Sequence, residues 1–168
     1  MKIGVMSDTH NNAGYIKEAA EYLINEEKVE KIYHLGDTYQ DSRKLLKYQV
    51  AVLGVPGIYD QEFFEPIYDN EIVDEVLGVK FLLVHDLSKL KPAAIKNANV
   101  ILHGHTHKYM IKRDEMDQTI YCNPGHLKAP IDKQQEPSLA VINVDDLVVS
   151  IKIKDVKGNV LEEKKFVL

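Results

Sequence analysis

The stretch Val100-Ile101-Leu102-His103-Gly104-His105-Thr106-His107 leaves this chain the least freedom. An apolar run ended by glycine reads as a buried strand that stops at a tight turn. Three histidines within five residues then crowd the end of that strand. A lone histidine is most often a hydrogen-bonded core or surface residue. Three at one strand end point instead to metal ligation, because neutral imidazole is the commonest protein ligand for transition metals. Alternate residues of an extended chain face the same way, so the spacing predicts that His105 and His107 converge on one point.

The same pattern recurs upstream. Lys2 to Met6 reads as a buried strand running into Ser7-Asp8-Thr9-His10-Asn11-Asn12. Lys31 to Leu35 runs into Gly36-Asp37-Thr38, and Val79 to Val84 into His85-Asp86. Polar clusters beyond the carboxyl ends of strands are where α/β proteins place their chemistry. Asp8 and His10, two residues apart, fall on one side of an extended backbone. Asn12 suits the N-cap of the next helix, whose apolar stripe is Ile16, Ala19, Ala20, Leu23 and Ile24. Asp41 reads as the N-cap of a second helix through Leu45 and Leu46. No helix clearly begins directly after Asp37, which leaves its carboxylate for another task.

The remaining elements set the fold class. Gln49 to Gly54 is a third strand, leading into the turn Val55-Pro56-Gly57-Ile58-Tyr59-Asp60. Glu71 to Val76 and Val79 to Val84 form a hairpin about Leu77-Gly78, and Pro92 to Lys96 a short helix with proline in its first turn. Lys108 to Arg113 and Thr119 to Cys122 are two further strands, followed by the loop Asn123-Pro124-Gly125-His126. Ser138 to Val144, Val148 to Val156 and Val160 to Leu168 make an antiparallel meander. Alternating strand and helix followed by strands alone predicts an α/β fold of two packed sheets with helices outside.

With 168 residues the chain suits one domain, spanning 1–168. It has no run of about 18 apolar residues, so no membrane span is expected. Its first residues are too short an apolar run for a secretory signal, and its single cysteine cannot form an internal disulfide; both favour the cytoplasm. Cys122 follows Tyr121 in a β-like run and reads as a buried structural thiol. The net charge of −5 speaks against nucleic acid as a partner, and no aromatic–basic platform suggests a nuclease. Phe63, Phe64 and Tyr68 read first as core, with a substrate rim or a homo-oligomer contact as alternatives.

Strand ends thus deliver Asp8, His10, Asp37, His85, His105 and His107. Carboxylates and imidazoles without thiolate suit manganese, iron, zinc, nickel or cobalt. The six exceed what one catalytic zinc takes from protein, and a pair of ions about 3.5–4 Å apart, bridged by a carboxylate, accounts for them better. Asp8-Thr9-His10, Gly36-Asp37 and Gly104-His105-Thr106-His107, in this order, resemble the calcineurin-like metallophosphoesterases, and within them the small bacterial and archaeal phosphodiesterases. The likeness runs over essentially the whole chain, Asn123-Pro124-Gly125 included. It implies a single calcineurin-like phosphoesterase domain with a four-layer α/β/β/α sandwich, the metallo-dependent phosphatase fold. It implies a dinuclear centre in which Asp8, His10 and His107 bind the first ion, Asp37 bridges, and His85 and His105 bind the second. The ions would be divalent, manganese first, with nickel, iron, zinc, cobalt or magnesium as alternatives. The substrate would be a small phosphate ester or diester, cleaved by a metal-bound hydroxide.

The departures from that family pattern are local. Gly57-Ile58-Tyr59-Asp60 stands where the family has Gly-Asn, then His or Cys, then Asp or Glu. Ile58 has no donor atom, and Asp60, Asp86 or water are the candidates to replace it. Asp86-Leu87 follows His85 in place of Gly-His, and His126 replaces a small residue after Asn-Pro-Gly. His10, Tyr59 and His126 are the candidates to protonate a leaving group; an ordinary tyrosine, with a pKa near ~10, is a poor acid. Slow turnover or a preference for good leaving groups follows. The same departures suit a catalytically weak or inactive metal-binding scaffold, as in the retromer subunit of this fold.

Overall fold

The strand Lys2–Met6 is buried on both faces from Ile3 onward, so it is stable only inside a sheet that is covered on both sides. The computed structural model describes residues 1–168 and puts it there. In chain order the elements are β1 (Lys2–Met6), α1 (Ala13–Glu21), β2 (Lys31–His34), α2 (Gln40–Lys44), β3 (Ala51–Gly54), β4 (Glu71–Val76), β5 (Val79–Val84), α3 (Pro92–Lys96), β6 (Val100–Leu102), β7 (Met110–Arg113), β8 (Ile120–Asn123), β9 (Ser138–Asp145), β10 (Val148–Asp155) and β11 (Val160–Val167). One sheet has the order β11-β10-β9-β1-β2-β3 and the other β4-β5-β6-β8-β7. β1, β2 and β3 are parallel, β5, β6 and β8 likewise, and antiparallel strands flank both sets.

Three apolar layers glue four structural ones. Ile3, Val5, Tyr33, Phe81, Leu83, Leu102, Ile142 and Ile151 fill the space between the sheets. Met6, Ile32 and Val141 on the outer face of the six-stranded sheet meet Ile16, Ala19, Ala20 and Leu23 of the first helical segment and Leu45 beyond α2. Gly4 permits this contact, because a Cβ there would stand 2.7 Å from the Leu23 side chain. Leu82, Val84 and Ile101 on the outer face of the second sheet are covered by Leu90, Ala94 and Ile95 around α3. The predicted α/β/β/α sandwich is the observed one. No helix is long and apolar enough to cross a membrane.

Local expectations hold at Asn12, whose side chain accepts from Tyr15 N–H at 3.2 Å as a helix N-cap, and at Pro92, which opens α3. Others need correction. Asp41 is not an N-cap: it lies inside α2, fully buried, where its carboxylate accepts from Thr9 Oγ1 at 2.6 Å and Asn11 N–H at 2.9 Å. The third strand begins at Ala51, because Gln49 turns left-handed at φ 57° to end the helical segment before it. Phe64 is not core; it is 75% exposed, while Phe63 and Tyr68 are half-buried.

Phe81 is fully buried between the sheets with its ring 6.1 Å from that of Tyr33. Phe81→Ala is expected to lower stability by about 3–5 kcal/mol, read as a shift of the urea midpoint at unchanged slope.

Candidate metal centre

The parallel strands β1, β2, β3, β5 and β6 all end at one rim of the sandwich, and their following loops interlock there. Asp8 N–H donates to Gly36 O at 2.9 Å, Gly104 N–H to His85 O at 3.0 Å and Leu127 N–H to Asp8 O at 3.2 Å. Five of the six predicted ligands have left-handed backbones: Asp8 at φ 52°, His10 at 46°, Asp37 at 45°, His105 at 67° and His107 at 60°. The expectation that strand alternation aims these side chains is therefore corrected; tight left-handed turns aim them. Non-glycine residues in such conformations cost of order 1–3 kcal/mol each and persist only where their surroundings hold them.

A buried polar chain does that holding for the first loop. His34 accepts Gly36 N–H on Nδ1 at 3.3 Å, so its Nε2–H donates to Thr9 Oγ1 at 3.1 Å. The Thr9 hydroxyl donates its own hydrogen bond to Asp41 Oδ2 at 2.6 Å, and the other Asp41 oxygen faces Lys44 Nζ at 2.5 Å. Burial keeps His34 neutral, with its pKa pushed down to about 4. The loop after β3 is clamped likewise. The Asp60 carboxylate accepts from Thr38 N–H and Tyr39 N–H, both at 2.9 Å, and from Gly57 N–H at 2.7 Å.

Four side chains converge. The donor atoms of Asp8, His10, Asp37 and His107 all lie within 4.8 Å of one another, and this group could hold a metal ion. His107 Nε2 is 3.2 Å from Asp8 Oδ1 and 3.3 Å from His10 Nε2, which in turn is 3.4 Å from Asp37 Oδ2. The second Asp37 oxygen faces elsewhere: Oδ1 lies 3.2 Å from His85 Nε2, and both atoms are buried without a hydrogen-bond partner. The His85 Nδ1–H donates to Leu35 O at 2.6 Å, which leaves Nε2 as a lone-pair donor aimed at that gap. The His105 ring packs edge-on against His85, with centroids 5.3 Å apart, while its backbone N–H donates to the Asp8 carboxylate. Both carboxylates need bare backbone beside them. A Cβ on Gly104 would stand 2.6 Å from Asp8 Oδ2, and one on Gly57 2.2 Å from Asp37 Oδ1.

The other predicted residues are placed as follows. Tyr59 is 82% exposed and lines an open cleft of about 220 Å³ with His10, Asp37, Thr38 and Asp60. His126 is fully buried behind His107; it accepts Lys128 N–H at 3.2 Å and donates to Gln135 O at 3.1 Å, so neither ring nitrogen is free. Asp86 caps the short turn after it by accepting from Ser88 N–H and Oγ. Ile58 is half-buried. Sequence reasoning missed Asp132, whose carboxylate accepts the His107 Nδ1 hydrogen bond; nothing in the spacing of Pro130-Ile131-Asp132 marks it. It also missed the Asn123 amide, which donates to Gly104 O at 2.9 Å and Thr106 Oγ1 at 3.0 Å, although Asn123-Pro124-Gly125 was visible as a motif.

Electrostatics follow from this packing. Asp37, Asp8 and Asp132 together push the His107 imidazole up to about 10. Burial alone would raise Asp37, yet His107 and His85 hold it well below the usual carboxylate range. Burial lowers His10; at His85 burial also acts to lower the pKa, but the nearby Asp37 and Asp8 carboxylates outweigh it and raise it.

Residues 1–147 match the family described as the calcineurin-like phosphoesterase superfamily domain. A phosphodiesterase of Methanocaldococcus jannaschii is 30% identical over an alignment covering 74% of this chain and 83% of the relative. A predicted phosphoesterase from Streptococcus pneumoniae superposes with a TM-score of 0.76 at 21% identity, covering 99% of this chain and 97% of that one. Zinc-complexed Vps29 from Entamoeba histolytica superposes with a TM-score of 0.73 at 18% identity, covering 99% of each chain.

A metal ion held by this group would compete with a proton for His107. With chelator present, His107 gives stability that is complete below its unfolded pKa of 6.5 and disappears as pH rises through about 10. Melting curves from pH 6 to 10.5 should therefore fall in chelator, with a flatter profile in saturating Mn²⁺.

Proposed function

The chain belongs to the calcineurin-like phosphoesterase superfamily, and from that premise we propose that it is a divalent-metal-dependent phosphodiesterase. One observation carries the reading. Asp37 turns one oxygen to the His10 and His107 side and the other to His85, and the latter pair of buried atoms has no partner. A carboxylate so placed suits two cations. Asp8, His10, His107 and Asp37 would hold the first; Asp37, His85 and His105 would hold the second. The donor set is oxygen and neutral nitrogen without sulfur, which suits Mn²⁺ and admits Ni²⁺, Fe²⁺, Zn²⁺, Co²⁺ or Mg²⁺. Bound there, such cations supply Lewis acidity, which makes hydroxide available near neutral pH and neutralises phosphate oxygens as charge shifts.

The chain's own residues do the rest. Asp8 and Asp37 bring two negative charges to a rim that the left-handed turns hold rigid, so cation binding needs little rearrangement. The His34–Thr9–Asp41 chain fixes the loop that carries Asp8 and His10. The cleft beside His10 and Asp37 is shallow and open, which suits a small ester that is not enclosed. Tyr59 stands at its mouth and orients the leaving group. His126 is held by two hydrogen bonds of its own, and His10 and Asp37, which line the cleft, would be taken up as cation ligands, so neither would be free to protonate a leaving group. Substrates whose leaving group departs without a proton, such as aryl phosphodiesters, are favoured. The Asp60 and Asp86 carboxylates are occupied by backbone and serine donors, so the position beside Ile58 would be left to water.

A catalytically weak or inactive metal-binding scaffold of the same fold competes with this reading, because Ile58 offers no donor atom. Purified protein should hydrolyse bis-aryl phosphates with Mn²⁺ and lose this activity with chelator. Asp37→Ala should lower the rate by at least about 10³-fold, of the order expected when charge stabilisation at a reacting phosphoryl group is removed. Hydrolysis surviving in Asp37→Ala would mark a contaminant, and an inert wild-type chain that still binds Mn²⁺ would favour the scaffold. Ile58→Asn should raise the affinity for a second Mn²⁺, read by calorimetry as a second binding step.

A further inference from the structure

His107 is the one member of the cluster that a carboxylate grips from behind. Its Nε2 faces Asp8 and His10, while its Nδ1 hydrogen-bonds to Asp132 Oδ2. Asp132 lies 25 residues further along the chain, outside every motif that points to the centre. Its position is built, not incidental. Asp132 and Gln135 exchange backbone hydrogen bonds of 3.0 and 2.9 Å, closing a two-residue turn over Lys133 and Gln134. Both turn residues are left-handed, at φ 49° and 66°, without a glycine to relieve them. Sequences that favour such a turn carry Asn-Gly. The turn is fastened on its other side as well: Gln135 Oε1 accepts from Tyr109 N–H at 2.8 Å, and Gln135 O accepts from His126 Nε2 at 3.1 Å. A strained turn is thus pinned at three points around the ring of His107.

We propose that Asp132 is a positioning residue of the centre, fixing the tautomer and ring plane of His107 and strengthening that histidine as a ligand for a divalent cation. The inference rests on reading Asp8, His10, Asp37 and His107 as a cation site. A proton held on Nδ1 by a carboxylate leaves the Nε2 lone pair as the only one available, and the added negative charge makes the imidazole a stronger donor. His85 lacks this help, since a neutral carbonyl, Leu35 O, receives its Nδ1 hydrogen. Of the two gripped histidines, the one on the Asp8 side is therefore the better ligand, and that side fills first. Lys128 Nζ, 3.7 Å from the other Asp132 oxygen and on the surface, adds little.

The test is calorimetric titration of chelator-stripped protein with Mn²⁺. Asp132→Asn keeps an acceptor in place without the charge, and Asp132→Ala removes both. Affinity for the first Mn²⁺ should fall in that order, by about tenfold and towards about a hundredfold. Hydrolysis at saturating Mn²⁺ should recover most of the wild-type rate, which separates a lost ligand orientation from a lost reacting group. Nitrogen NMR should show His107 protonated on Nδ1 in the wild-type Mg²⁺-loaded protein and a mixed tautomer in Asp132→Ala. The double change Lys133→Asn with Gln134→Gly, which relaxes the turn and keeps Asp132, should bind Mn²⁺ like wild type. A folded Asp132→Ala protein with wild-type affinity overturns this inference alone. A wild-type chain that binds no Mn²⁺ overturns it together with the cation site itself.

Discussion

Two carboxylates buried beside one histidine govern this structure. Asp8 is fully buried and Asp37 nearly so, and His107 Nε2 sits 3.2 Å from one and 4.0 Å from the other. Taking an ion out of water costs several kcal/mol even after relaxation, and two like charges make the cost larger. The fold tolerates them only because positive charge is available between them. In the protein alone a proton on His107 can supply it; a divalent cation at the proposed site would supply more. The surrounding polar chains make sense as the means of keeping those two acids in place while their charge is answered.

Backbone strain is the second constraint, and it has the same address. Left-handed residues at the ends of β1, β2 and β6 carry nearly all the candidate ligands. Such conformations are uncommon for any residue with a Cβ, even for aspartate and histidine, which tolerate them better than most, so each needs an anchor. For Asp8, His10 and Asn11 the anchor is Asp41 through Thr9 and the Asn11 amide. For Asp37 and Thr38 it is Asp60, which gathers three backbone N–H groups. These acids are buried or half-buried and hold the backbone, whereas Asp8 and Asp37 are held by it.

Much of the architecture could be read from the chain. Apolar runs such as Val79–Val84 and the alternating tail from Ser138 onward announce strands, and polar residues after each run mark the rim where the site lies. Alternation along a strand does not continue into a left-handed turn, so it does not account for Asp8 and His10 coming together, and the expected convergence of His105 with His107 is corrected: His107 joins Asp8, His10 and Asp37, while His105 packs on His85. Asp41 shows a related limit: an acid near a helix start looks like a cap whether it faces its own helix or a loop 30 residues earlier. Phe64 looks like core by composition but sits on a short turn outside both sheets. Asp132 was invisible because a contact set by tertiary docking leaves no local period.

The pairing of β1 has a consequence for how the molecule is made. This strand lies between β2 and β9, with Lys2 opposite Asn143. Its first neighbour arrives about thirty residues later, but its second is more than a hundred residues away. Until that partner emerges from the ribosome, one edge of a strand that is apolar from Ile3 to Met6 offers unpaired amides and carbonyls to any other chain nearby. Such distant pairings also slow folding, since the loop entropy is lost before the contact is gained. Lys2–Met6 is therefore fully sheltered only once β9 has been made, and the nascent chain's exposure to misassembly is concentrated in that interval.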